Sequence, residues 1–205
     1  MITVANILDC EQHLSKFEAV IFDLDDTLYS EKDYVRSGYK AIADKFPSVE
    51  NLASKLYKAF EEKHPAIDFV FENEGIIDFK DKALEAYRSH MPNISLYSGV
   101  YEMLVRLGKT KKLGLITDGR PAGQRAKIKA LGIENLFDCI IVTDELGGVE
   151  YRKPNGKAFE LMSKEFGVPY DEMVYVGDNI KKDFAAPEKL GMGYVFFRNP
   201  DGIYA

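Results

Sequence analysis

Three carboxylates crowd one short stretch of the chain, FEAVIFDLDDTLYS at residues 17–30, where Asp23, Asp25 and Asp26 follow the apolar run Ala19–Phe22. Carboxylates this close oppose one another's ionisation unless a positive charge intervenes. Three further apolar runs end alike: LGLIT (113–117) meets Asp118 and Gly119, CIIVT (139–143) meets Asp144, and MVYVG (173–177) meets Asp178. Taken singly, an Asp after a strand is a turn former or a helix N-cap, and Asp26 and Asp144 are expected to be that. Asp23, Asp25 and Asp178 are expected to converge on a cation. Hard oxygen ligands with no His or Cys nearby suit Mg²⁺ better than Zn²⁺.

These residues need elements to bring them together. With YVFF (194–197), the apolar runs are short, continuous and mostly rich in Val and Ile, as in strands buried on both faces. Amphipathic stretches lie between them. VYEMLVRLGK (100–109) puts Val100, Met103, Leu104 and Leu107 on one face, and PAGQRAKIKALGI (121–133) opens with Pro and reaches Gly132. NGKAFELMSKEFG (155–167) behaves similarly, and so does IKKDFAAPEKLG (180–191), which Pro187 should kink or shorten. Strands alternating with helices predict an α/β fold, a doubly wound parallel sheet of Rossmann-like type, with ligands at the carboxyl ends of its strands. Residues 30–97 break the alternation with three helical patterns and no strand of matching quality, so they read as a helical insertion after the first strand. Within it, HPAIDFVFENEGIID fits no element. The expected boundaries are residues 1–29 and 98–205 for the core and 30–97 for the insertion.

A chain of 205 residues with net charge −6 and pI near 5.2 can bury a full core and is a poor match for nucleic acid or an anionic membrane surface. No window approaches a membrane span of about 18 apolar residues, and the N-terminus shows no basic region followed by an apolar core. Cys10 and Cys139 have no ligand spacing and read as reduced thiols, which points to a cytoplasmic protein. No glycine-rich dinucleotide or P-loop fingerprint follows any strand. Oligomeric state has no sequence signature.

The ordered motifs resemble those of the haloacid dehalogenase-like hydrolase superfamily: DLDDT (23–27), ITDG with Thr117, YRKP with Lys153, and GDNIKKD with Asp178 and Asp183. The resemblance implies that Asp23 is a nucleophile forming an aspartyl-phosphate and that Asp25 is the general acid and base, helped to hold a proton by its place beside Asp23. It implies that Thr117, Asp118 and Gly119 bind the phosphoryl group and that Lys153 neutralises its charge. Asp23, Asp178 and the Asp25 carbonyl would hold Mg²⁺, with Asp183 steering Lys153 or a metal-bound water. The insertion would be the superfamily's helical cap, which favours a small-molecule phosphate ester as substrate.

The carboxylate at position 25 sets the chain apart from dehalogenases and P-type ATPases of the superfamily, which lack it. The expected activity is a Mg²⁺-dependent phosphatase acting on a small phosphomonoester. A phosphomutase would share every motif. A non-enzymatic phosphorylatable switch domain fits less well, because it has another motif order and no insertion. Arg120 could reach a leaving group or stand exposed. Tyr29, Tyr34 and Tyr39 read as packing, Lys181 and Lys182 as a solvated helix face, and His13, His64 and His90 need no role.

Overall fold

The computed structural model describes residues 2–203; Met1, Tyr204 and Ala205, inside the expected core boundaries, lie outside it. The chain divides into two compact units, residues up to 31 together with those from 95 onward, and residues 32–94.

The first unit holds one six-stranded sheet: β1 (Ile2–Val4), β2 (Ala19–Phe22), β3 (Lys112–Thr117), β4 (Cys139–Val142), β5 (Met173–Gly177) and β6 (Gly193–Phe197). The order is β1-β6-β5-β2-β3-β4, and every pair is parallel. AVIF is thus the second strand, not the first. The missed β1 has only three residues and two of them are exposed, so it carries no apolar run. Its place is fixed by long-range pairing with β6, from Ile2–Val195 to Val4–Phe197.

From β2 the chain winds outward through β3 and β4, then returns to the other side of β2 as β5. That reversal opens a crevice at the carboxyl ends of the strands. All residues of β2 and β5 are buried, which explains their unbroken apolar runs. One sheet face packs Ala19, Ile21, Ile116 and Tyr175 against Phe159 and Met162.

The second unit carries the rest of α1 (Glu31–Lys45), then α2 (Leu52–Glu61), α3 (Ala66–Asn73) and α4 (Lys80–Ser89). The stretch that fitted no element forms α3, whose Ala66, Val70 and Phe71 are buried at helical spacing. Aromatic rings make much of this core: Phe46 meets Phe71 edge-on at 5.3 Å, and Tyr87 packs so close to Gly38 that a Cβ there would lie 2.3 Å from its ring.

Helices α5 (Val100–Leu107), α6 (Pro121–Leu131), α7 (Lys157–Phe166) and α8 (Ala185–Leu190) belong to the first unit. The four apolar positions predicted for α5 are all buried. Gly132 and Gly167 end α6 and α7 in the left-handed conformation, which glycine adopts without a Cβ penalty. Helix α8 is only six residues long, so Lys181 and Lys182 lie outside it, contrary to the helix-face expectation.

Candidate active site

The ladder between β2 and β5 continues one step beyond the strand: the Asp23 N–H donates to the Val176 carbonyl at 2.9 Å. This places the Asp23 carboxylate at the crevice, 2% exposed. The chain then turns through Asp26, whose φ of 54° is left-handed. Asp26 secures the turn by accepting from the N–H groups of Glu31 (2.8 Å) and Ile203 (2.7 Å), the turn-forming work expected of it.

Lys153 comes from the loop before α7 and is buried completely. Its Nζ donates to Asp23 Oδ1 at 2.5 Å and to the Tyr175 hydroxyl at 2.7 Å, and forms an ion pair with Asp183 Oδ1 at 2.9 Å. Burial disfavours the ammonium, but Asp183 and then Asp23 hold its pKa well above the usual lysine value. Asp183 is pinned from its other side, where Oδ2 accepts the Asn179 N–H at 2.8 Å. Gly177 leaves room for that carboxylate, since a Cβ there would stand 2.5 Å from Asp183 Oδ2. Burial raises the Asp23 carboxyl to about 6, against the opposing pull of Lys153.

Asp25 behaves differently from its expected proton-holding role. Burial alone would raise it, but Lys127 beside it takes it below the ordinary carboxylate value, helped by hydrogen bonds from Tyr29 and Gln124. Lys127 Nζ reaches Asp25 Oδ1 at 2.7 Å, Gln124 Nε2 reaches Oδ2 at 2.8 Å, and the Tyr29 hydroxyl donates to Oδ1. Gln124 also donates to Thr117 Oγ1 at 2.8 Å, which leaves the buried Thr117 hydroxyl proton available to an acceptor. Tyr29 is therefore more than packing. The motifs do not contain Gln124 or Lys127, yet a sequence signal exists: both share the apolar stripe of α6 with Ile128 and Leu131, and all four are buried.

Asp118 ties three segments together. Its Oδ1 accepts from Thr143 Oγ1 at 2.9 Å and from the Lys153 N–H at 3.1 Å, and its Oδ2 lies 3.5 Å from Lys182 Nζ. Arg120, the partner considered for Asp118, is exposed. Arg152 makes a bidentate pair with Asp144 at 2.7 Å, which gives Asp144 a structural role.

A cavity of about 280 Å³ opens here, and every residue lining it is charged or carries an amide. Asp25, Asp118, Lys153 and Asp178 border it, as do Glu31 and Lys182, which sequence reasoning did not place at the site. Asp23, Thr117 and Gly119 do not line it; Asp23 lies behind Lys153, which does. Acids outnumber bases in the lining by five to three.

The donor set fits a divalent cation. Asp23 Oδ2 is buried without a hydrogen-bond partner, and carboxylate oxygens of Asp23, Asp178 and Asp183 lie within 4.8 Å of one another. Burial, then the charges of Asp23 and Asp183, raise Asp178 to about 8. Thr27 Oγ1 orients it with a 3.2 Å hydrogen bond to Oδ1. Asp183 is already committed to Lys153 and Asn179, so Asp23 and Asp178 are the side chains with capacity left for a metal.

Among the described residues no helix is long and apolar enough to cross a membrane. The profile of the family described as haloacid dehalogenase-like hydrolase matches residues 20–197. Glyceraldehyde 3-phosphate phosphatase of Methanocaldococcus jannaschii is 30% identical over 85% of this chain and 82% of its own length. N-acylneuraminate-9-phosphatase of Rattus norvegicus is 27% identical over 92% and 85%. A HAD-superfamily hydrolase of subfamily IA from Geobacter sulfurreducens shares the fold with a TM-score of 0.71, at 18% identity, covering 90% of this chain and 89% of its own. The chain belongs to the haloacid dehalogenase-like hydrolases.

Proposed function

We propose that this chain is a Mg²⁺-dependent phosphatase that hydrolyses small-molecule phosphomonoesters through an aspartyl-phosphate on Asp23. The observation that carries the reading is the state of Asp23: one carboxylate oxygen is held by a buried lysine at 2.5 Å, and the other is buried without a partner, in a carboxylate group with Asp178, which lines the polar cavity. A carboxylate is a weak nucleophile, but phosphoryl transfer depends mainly on positioning and neutralisation of charge. Lys153 supplies a fixed positive charge for the phosphoryl oxygens, and the Thr117 hydroxyl a donor. Asp23, Asp178 and the Asp25 carbonyl would hold Mg²⁺, which when bound supplies further neutralisation of phosphate charge.

Asp25 is assigned the proton transfers. Its ionised resting state suits a base for the hydrolytic water. An entering phosphate dianion adds negative charge nearby and raises its proton affinity, which suits protonation of the leaving alcohol. The helical unit, residues 32–94, is assigned the cap role that the resemblance implies. Both named relatives are phosphatases of small phosphorylated molecules, and the wholly polar cavity supports a polar leaving group here. The deciding experiment is Asp23→Asn assayed with Mg²⁺. Turnover is expected to fall by at least about 10³-fold, with the fold kept because Lys153 retains Asp183 and Tyr175. Undiminished hydrolysis by the variant would sink the reading.

A further inference from the structure

We infer that Glu31 reads the leaving group: its carboxyl accepts a hydrogen bond from a hydroxyl of the esterified alcohol. The inference rests on the phosphatase reading and deepens it.

It follows from which groups at the cavity are already committed. Lys153 is shared between Asp23 and Asp183, Arg152 is clamped by Asp144, and Asp25 accepts from Lys127, Gln124 and Tyr29. Asp26 accepts two backbone N–H groups, and Asp178 accepts from Thr27. Glu31 lines the same cavity, yet its carboxylate makes no hydrogen bond or ion pair with any described residue. Its backbone is fixed, because the Glu31 N–H donates to Asp26 Oδ1 at 2.8 Å. The side chain is therefore presented from a held position without a partner of its own.

A partly buried carboxyl without a partner is unfavourable, and a substrate hydroxyl supplies the missing donor. An acid at the first position of α1 also interacts favourably with the helix N-terminus, but that role does not depend on the substrate. Burial, then the charge of Asp25, raises the Glu31 carboxyl to about 8 against the opposing charge of Lys127, and its carbonyl oxygen accepts a hydrogen bond in either protonation state.

The test compares kcat/KM for glycerol 3-phosphate and propyl phosphate, with 4-nitrophenyl phosphate as a general ester, all with Mg²⁺. The parent enzyme is expected to prefer glycerol 3-phosphate over propyl phosphate by about 10- to 100-fold. Glu31→Leu should bring that ratio close to unity. Glu31→Gln, which keeps a carbonyl acceptor, should keep it within a few-fold. Ratios on one preparation do not change with the fraction that folds, so a purely structural role leaves them unmoved. Identical ratios in the parent and both variants would overturn the inference while leaving the phosphatase reading intact. A parent inert toward all three esters would overturn the phosphatase reading itself, and this inference with it.

Discussion

Lys127 Nζ stands 2.7 Å from Asp25 Oδ1, and the two side chains are 7% and 18% exposed. The carboxylate assigned to proton transfer thus has a dedicated cation that no family motif contains. Gln124, one turn earlier on α6, takes its other oxygen. Rotation of the Asp25 carboxyl is blocked from both sides, as a group that must meet a leaving oxygen in one geometry requires.

Removing that cation should be costly. Lys127→Met leaves a buried carboxylate unpaired, and unfolding in urea should show a loss of about 3 kcal/mol. On an alkyl phosphate, kcat should fall by about 10- to 100-fold. The fall on 4-nitrophenyl phosphate should be smaller, because that leaving group departs without a proton. Equal losses on both esters would mean that Lys127 does not act through Asp25.

Gly177 tests the support under Lys153. In Gly177→Ala the new Cβ would stand 2.5 Å from Asp183 Oδ2, and Asp183 has no exposed surface into which to retreat. Either the end of β5 moves or Asp183 loses the Asn179 N–H and drags Lys153 with it. Denaturation should report a loss of about 1–3 kcal/mol, and steady-state assays a fall in kcat of at least about 10-fold. Unchanged kinetics would show that Lys153 is positioned without Asp183.

Metal and pH should be linked. In the folded, metal-free chain Asp178 is raised from 3.8 to about 8 and Asp23 from 3.8 to about 6. The folded state then binds protons that the unfolded state has released, so these groups make stability fall as pH rises from about 4 to about 8. Asp25 is shifted downward, so its contribution is present above 3.8 and lost only at lower pH, outside that window. A cation at Asp23 and Asp178 relieves the repulsion between ionised carboxylates. Added Mg²⁺ should therefore raise Tm more near pH 8 than near pH 5, and chelation should abolish turnover. Equal Tm shifts at the two pH values would place the cation elsewhere.

The strands that carry the site were legible because each is a continuous apolar run, and such a run satisfies burial only when both of its faces are covered. The parallel order follows from alternation with helices, and it brings Asp23, Thr117 and Asp178 to one edge of the sheet. Local pattern could not show β1, whose three residues owe their conformation to pairing with β6. Nor could it show that Lys153 is held jointly by Asp23 and Asp183, since Asp23 lies 130 residues away in the chain. The same holds for Lys127 on Asp25, Glu31 at the cavity, and Lys182 near Asp118 instead of on a solvated helix face. Sequence determined which residue types stand at the strand ends. Tertiary structure decided which amine neutralises which carboxylate, because an ion pair depends on distance and burial, and both are set by chain segments far apart in sequence.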